Sequence, residues 1–563
     1  MRIVLLLLAA PFLLFSKPLL LQFSGNEKLS SRELYDTLGL NLPYAIEVWE
    51  DQPAMDEVMV SQGVSALVSY YRSKGYFKAK ITPIITATHI TLEIVENKPI
   101  IVSNVQVNSV LDVDKMVELG QRDLFDQDKF SSSKNKIKKR YHEAGYCNAT
   151  FNSKSWVDLE THEAHVLFEA TPNEKCFFGA ITIESTPNIE GNLTKSMLHF
   201  DEGDPYSLEA IQKSYEALYT QEAISRVSIN DADRLDNIVP ITLSIEEVQK
   251  PIRFSAGLGY SSDQGFGTQM GIKHRNFLGD MKTLSLDGKF TQIKQEASAI
   301  LSIPLYDRFF AYGEVGYWDE IFDGYRSQSV FEKITLKRQD IPTSYLISML
   351  FDQAKTYEST NTESFPDSNL FIPSPGIEFN IDTRDKLLEP TKGDWINVRG
   401  QGSIYSTISD ATYFKTLLSG AHIQSIWEDH IVAARVKWGT LRVYEGQVPS
   451  AYRFYAGGMN SNRAYAYREL GPKDLNGDPL GFNALLEGTL EYRFGIYDDF
   501  RGVLFSDLTY GGNSYLPDYA LPYLGVGVGI RYVTPVGPIA IDVGVDPGDI
   551  SQYALHFRIG ELF

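Results

Sequence analysis

Few stretches of this chain carry residue types that could do chemistry. The richest is Gly457-Gly458-Met459-Asn460-Ser461-Asn462-Arg463-Ala464-Tyr465-Ala466-Tyr467-Arg468-Glu469-Leu470-Gly471-Pro472. A glycine pair permits a sharp turn, and Asn-Ser-Asn continues it with side chains that hydrogen-bond their own backbone. Alternating segments flank it on both sides, so it is a loop between strands. On its residues alone, an arginine there reads as a solvated charge. The chain has nine histidines, and the close pair, His162 and His165, sits at a strand entrance with no third ligand nearby. No metal site is expected. Gly525-Val526-Gly527-Val528-Gly529 lies within strand alternation, not at a strand-to-helix phosphate loop. Asp498-Asp499 reads as a solvated turn. With no nucleophile–base pair, no catalytic residue and no cofactor motif, the chain reads as a non-enzyme.

The elements that position these residues follow from composition and periodicity. A chain of 563 residues exceeds what one core organises. Mean hydropathy is -0.19, and beyond the N-terminus no run of about 18 apolar residues occurs, so helical membrane spans are not expected. Aromatics at 12%, with 32 Tyr and 31 Phe beside 43 Gly, favour a β-rich protein with aromatic interfaces. The net charge of -20 argues against nucleic acid as a partner. Arg2 followed by an apolar run to Phe15 reads as an export signal over 1–16, Ser16 being the last residue removed. Export places Cys147 and Cys176, the only cysteines, in an oxidising compartment. A disulfide between them is expected, with two buried thiols as the alternative.

Three segments before residue 252 share one plan. In the first, 19–98, a short apolar strand at Leu19-Leu20-Leu21 leads to Gly25-Asn26, with a helix start at Ser31 and an amphipathic helix from Met59 to Lys74. Gly75 follows, then strands Tyr76-Phe77-Lys78-Ala79-Lys80-Ile81 and Thr88–Val95. In the second, 99–176, Val102–Val107 is a strand and Ser131–Glu143 a basic helix, and Gly145-Tyr146-Cys147-Asn148-Ala149 answers Gly75-Tyr76-Phe77-Lys78-Ala79. The third, 177–251, has a strand at Gly179–Ile183, a helix from Ser207 to Tyr219, and strands near Ile224–Ile229 and Ile241–Glu246. A period of roughly 75 to 80 residues with β-α-α-β-β order implies small α+β modules in tandem.

From residue 252 the period becomes two. Phe254, Ala256, Leu258 and Tyr260 share one face, with Arg253, Ser255, Gly257 and Gly259 on the other. Leu524, Val526, Val528, Ile530 and Tyr532 do the same opposite Gly525, Gly527, Gly529 and Arg531. Such alternation separates lipid from a wet lumen, though a soluble sandwich alternates too. Repetition over 252–563 favours a transmembrane antiparallel β-barrel of about 16 strands. Closure matters because hydrocarbon tolerates no unpaired backbone edge. The last strand, Tyr553–Gly560 with Phe557, is expected to close against the strand carrying Arg253 and Phe254. The polar loop Thr356–Ser368 is expected to face outwards.

The three modules resemble the POTRA domain, the periplasmic polypeptide-transport-associated module, for which the alternative here is a rigid spacer. Signal, modules and barrel together resemble the superfamily of outer-membrane protein assembly and translocation factors. The module count is most similar to its TamA-like members. Gly257-Leu258-Gly259-Tyr260-Ser261-Ser262-Asp263 with His274-Arg275-Asn276-Phe277-Leu278-Gly279 resembles the first two barrel strands of the superfamily. Asp382-Thr383-Arg384-Asp385 with Pro390-Thr391-Lys392-Gly393 resembles its mid-barrel signature. Arg463-Ala464-Tyr465 resembles an inward-folded Arg-Gly-aromatic motif, with alanine where the glycine stands. Glu491 and Asp507 resemble the acidic positions that follow, and Phe563 the terminal assembly signal.

The resemblance implies an outer-membrane location with the modules in the periplasm. It implies that Arg463 meets Asp507, Glu491 or both, and that the seam between first and last strands helps clients into the bilayer. Unfolded outer-membrane proteins such as autotransporters are the implied clients, and a TamB-like periplasmic protein the implied partner. A two-partner secretion exporter and a passive channel are the rival readings.

Overall fold

The computed structural model describes residues 18–40, 42, 52–184, 187–232, 234, 236–387, 389–404, 406–427, 429–497, 500–518, 522–532 and 539–559. The expected signal segment 1–16, Asp498-Asp499 and Phe563 lie outside the described residues. The chain divides into two compact units, one of 1–180, 201–210 and 232–240, the other of 181–200, 211–231 and 241–563.

In the first module, strand Leu19–Ser24 lies between Ala54–Met55 and His89–Val95, with Lys80–Ile85 at the far edge. Ser30 begins the helix Ser31–Thr37 through a capping box with Glu33, satisfying two orphan amide groups at once. The second helix, Val60–Ser73, buries Leu67 and Tyr71, four residues apart on one face, against Leu21, Ile90 and Leu92. The strand expected from Tyr76 starts only at Lys80. Gly75 has φ +89° and Tyr76 N donates to Tyr71 O at 2.8 Å, so Tyr76–Ala79 is spent on the turn.

The second module repeats the device. Its sheet runs Ile101–Ser109, Glu163–Thr171, Thr150–Asp158. Its helix, Gln127–Glu143, starts a turn earlier than expected because the Asp126 carboxylate accepts from the amides of Asp128 and Lys129. Gly145 again has φ +89°, and Tyr146 N donates to Tyr141 O at 3.0 Å. The carbonyls of these two glycines also start the next segment: Gly75 O accepts from Ile100 N at 2.9 Å and Gly145 O from Cys176 N at 2.8 Å. One turn therefore ends each helix and pins the following strand, which is why the motif recurs.

Cys147 and Cys176 form a disulfide, with Cα atoms 5.8 Å apart and a sequence separation of 29. Closing such a loop in the unfolded chain is worth roughly 3 kcal/mol. Replacing both by serine should lower hydrogen-exchange protection of the second module by about that amount and leave the barrel strands unchanged.

The third sheet has Ile238–Glu247 between Phe177–Glu184 and Ile224–Asn230, with helices Gly191–Lys195 and Leu208–Tyr219. Within the second unit its loops touch turns between barrel strands and the end of the second barrel strand, Gly265–His274. Asp280 N donates to Asn188 O at 2.8 Å, Arg308 Nη1 to Leu198 O at 2.8 Å, and Lys273 Nζ to Glu222 at 2.7 Å. His199 lies here, facing Arg308, Lys213 and Asp340. Burial first, then the Arg308 guanidinium, push its imidazole down from 6.5 to about 4. As pH falls the unfolded chain takes up this proton first. The stability linked to neutral His199 is thus complete above 6.5 and lost as pH falls towards 4. Hydrogen exchange over 191–219 should show protection falling between about pH 7 and pH 4.5, and His199→Gln should flatten that dependence.

Sixteen antiparallel strands then form a closed barrel, from Ile252–Ser261 to Asp549–Ile559, each paired with its sequence neighbour. Phe254, Leu258, Ile272 and Ile347 stand exposed on the exterior, while Ser327, Ser329, Thr356 and Ser374 are buried inside. Lipid outside and polar groups inside explain the alternation. The loop expected from Thr356 starts later, because its strand runs to Tyr357, and Phe365 folds back to stack on Tyr325. No helix among the described residues is long and apolar enough to cross a membrane.

Candidate functional site

The loop 447–483 joins the eleventh barrel strand, His430–Gly446, to the twelfth, Ala484–Tyr497. It turns back into the lumen. Along the twelfth strand Glu491 and Arg493 face inward, opposite in parity to Leu490, which is exposed on the exterior. Asp507, on the thirteenth strand Phe500–Gly512, pairs in register with Thr489 and faces inward too.

Arg463, 4% exposed, ends among these acids. Its Nε donates to Asp507 Oδ2 at 2.8 Å and its Nη2 to Oδ1 at 3.0 Å, a two-pronged contact that fixes orientation. Nη1 donates to Glu491 Oε2 at 2.8 Å, and the backbone amide of Arg463 to Asp507 Oδ2 at 3.1 Å. The guanidinium lies 3.5 Å above the Phe505 ring. Glu491 also accepts from Arg493 at 2.6 Å, and Asp542, 3.9 Å from Arg463, accepts both prongs of Arg531. Three arginines thus face three carboxylates, which makes burial of so many charges tolerable.

Ala464 is fully buried, and its backbone is not in the left-handed region. The positive φ values of the loop fall at Gly457, Gly458, Arg468, Gly471, Gly477 and Gly481 instead. Tyr465 OH donates to Asp546 Oδ2 at 2.6 Å, tying the loop to the last hairpin.

Two contacts lay beyond sequence reasoning. Arg468, five residues after Arg463, pairs with Glu320 on the opposite wall and sits 4.0 Å above the Phe322 ring. Its only sequence signal was a second arginine among aromatics. At the seam, Asp263 accepts from Met459 N at 2.9 Å, and His556 brings Nε2 within 3.2 Å of Arg463 O and Nδ1 within 3.4 Å of Asp263. First turn, last strand and loop therefore meet at one polar knot.

Among the described residues, the first and last strands meet only through Tyr260↔Ile559 and Ser261↔Arg558, with Ser262 N donating to Phe557 O at 2.9 Å. The last strand thus closes against the strand carrying Arg253 and Phe254, as expected, and the two are joined at the far end of that first strand. Arg253 and Phe254 pair with Lys273 and Ile272 of the second strand, and Tyr553 pairs with Val545. Of Arg253, Phe254, Tyr553 and Phe557, Phe557 is the one at the junction. Strands of a closed barrel are staggered, so the end of the first meets the end of the last. No group of three or more metal-ligating side chains occurs among the described residues.

A family model described as the Omp85 superfamily domain matches residues 252–563. A POTRA model, described as the surface antigen variable number repeat, matches 20–110 and 98–172. The chain is 24% identical over 453 residues to the outer membrane protein assembly factor BamA of Nitratidesulfovibrio vulgaris, covering 75% of this chain and 56% of that protein. It is 26% identical over 205 residues to a SAM50-like protein of Schizosaccharomyces pombe, covering 32% of this chain and 42% of that protein. The chain therefore spans about half the length of these curated relatives. Among solved structures, BamA from Haemophilus ducreyi lacking POTRA domains 1-3 superposes with TM-score 0.57 at 18% identity, over 82% of this chain and 99% of that one. CdiB from Escherichia coli gives 0.50 at 13% identity, over 89% and 97%. At these identities the likeness is one of fold.

Proposed function

The chain belongs to the Omp85 superfamily, and we propose that it acts at the outer membrane as an assembly factor that passes client polypeptides from its periplasmic modules through the barrel seam into the bilayer. The observation that carries this reading is the seam itself. Among the described residues, the other barrel ladders hold seven or more residue pairs, and the one between first and last strands holds two. A short ladder costs little to part and offers backbone donors and acceptors to an incoming strand. The inward loop supports the reading, since it occupies lumen that a passive channel would leave open. Three modules in front of the barrel favour TamA-like work on clients such as autotransporters, with a TamB-like periplasmic partner.

The test uses Tyr260→Cys with Ile559→Cys, which face each other across the seam. Oxidation should lock the pair and stop insertion of an autotransporter barrel into vesicles, and reduction should restore it. Insertion that continues in the locked protein overturns the seam mechanism. A conductance that is large without client would support the channel instead.

A further inference from the structure

Below the loop tip, at the periplasmic end of the lumen, lies a cavity of about 370 Å³. Besides Arg463 it is lined by Arg384, Arg435, Arg493, Arg501, Arg531 and Arg558, against three acids, Glu389, Glu491 and Asp542. This excess is unusual in a chain of net charge -20. Some of these cations are accounted for. Arg493 is bound to Glu491, Arg531 to Asp542 and Arg384 to Asp382.

Two are not so well matched. Arg435 donates to Asn460 O at 3.0 Å and Thr489 Oγ1 at 3.4 Å, both neutral acceptors. Arg501 has Glu389 as its acid among the described residues, at 3.8 Å, beyond hydrogen-bond range. Arg501 also stands directly opposite Arg531 across neighbouring strands. Like charges in that position repel, so folding alone gives no reason for the pair. A cleft lined by one sign and walled by protein concentrates counter-charge.

We infer that this vestibule binds carboxylates of an extended client segment entering the lumen from the periplasm. Extended polypeptide fits better than lipid, because the acyl chains of a lipid would have to leave the apolar exterior for a polar lumen. Neighbouring strands lie about 4.8 Å apart, so arginines on successive strands present guanidinium groups at spacings an extended acidic segment can meet. The inference rests on the reading of the chain as a client-handling factor, but it is tested by binding alone, without insertion.

The full chain in zwitterionic detergent is titrated against a fluorescein-labelled peptide of alternating Glu and Ser, and against its Gln-Ser counterpart, with anisotropy as the readout. The Glu peptide should bind about tenfold or more tightly than the Gln peptide, and less tightly as salt rises. Arg501→Gln and Arg435→Gln should each weaken it several-fold, and Arg501→Lys should keep part of the loss from appearing. Retention of the heat-resistant compact form on gels shows that each variant is folded. If a Gln variant fails that check, the Lys variant and the parent's preference for Glu over Gln decide. Equal binding of the two peptides overturns the inference, as does binding indifferent to Arg501 in a folded variant. Displacement of the peptide by equimolar inorganic phosphate, or binding of short-chain phosphatidylglycerol without the peptide, assigns the site to phosphate chemistry and overturns it too.

Discussion

Arg463→Ala should lower the temperature at which the barrel loses its compact, detergent-resistant form, and slow client assembly with it. The residue that suffers most is Asp507. It is 1% exposed, and the hydrogen bonds given to its two oxygens come from Nε, Nη2 and the backbone amide of Arg463. Glu491 keeps Arg493 and Asp542 keeps Arg531. Alanine therefore leaves one carboxylate uncompensated and two still paired. Stranding a buried charge costs roughly 3 to 5 kcal/mol. Arg463→Lys should rescue only in part, because one ammonium cannot reproduce the fork that spans Asp507 and Glu491. Asp507→Asn should recover some heat resistance in the Arg463→Ala background while costing it in the parent, a coupling that separates the stranded charge from lost packing on Phe505. Parental heat resistance and assembly rate in Arg463→Ala would mean that the loop is an ordinary one.

How far this was legible differs from element to element, for physical reasons. Period-two alternation is local, so the barrel could be read from residues two apart, and the length of 252–563 set its strand count at about sixteen. The Gly75-Tyr76 and Gly145-Tyr146 repeats were also visible, but not that each glycine carbonyl holds the next module's first strand, a contact between residues 25 or more positions apart. Residue types alone would have left Arg463 solvated, and only the resemblance to an inward motif drew attention to Glu491 and Asp507. Arg468 with Glu320, and Asp263 with His556, depend on where a 37-residue loop (447–483) crosses the lumen, which no local pattern encodes. Which residues of the two seam strands face each other was hidden for a related reason. Parity says which face a residue occupies, but stagger is a property of the closed barrel.

Ala464 stands where the resembling motif has glycine, and the wall supplies the space instead. Gly544, on the fifteenth strand Ile539–Asp546, lies beneath the loop, and a Cβ there would run into the carbonyl oxygen of Arg463 and come within 2.8 Å of Ala464 N. Gly525, on the fourteenth strand Tyr523–Tyr532, lies beneath Asn462 and 3.1 Å from the Ala464 methyl when given a Cβ. Both obstacles are backbone or buried side chain, so neither can swing aside cheaply. Gly544→Ala should therefore lift the loop from its seat and reproduce most of the Arg463→Ala defect in heat resistance and assembly, although every charge in the network is still present. Overpacking of this kind costs about 1 to 3 kcal/mol, and more where backbone must move. Gly488→Ala, on the twelfth strand where a Cβ meets nothing within 4 Å, is the control and should be silent. The double variant Arg463→Ala with Gly544→Ala should be little worse than either alone, because a loop already displaced has no seat left to lose. Full additivity of the two would show that Gly544 acts on its own strand and not through the loop.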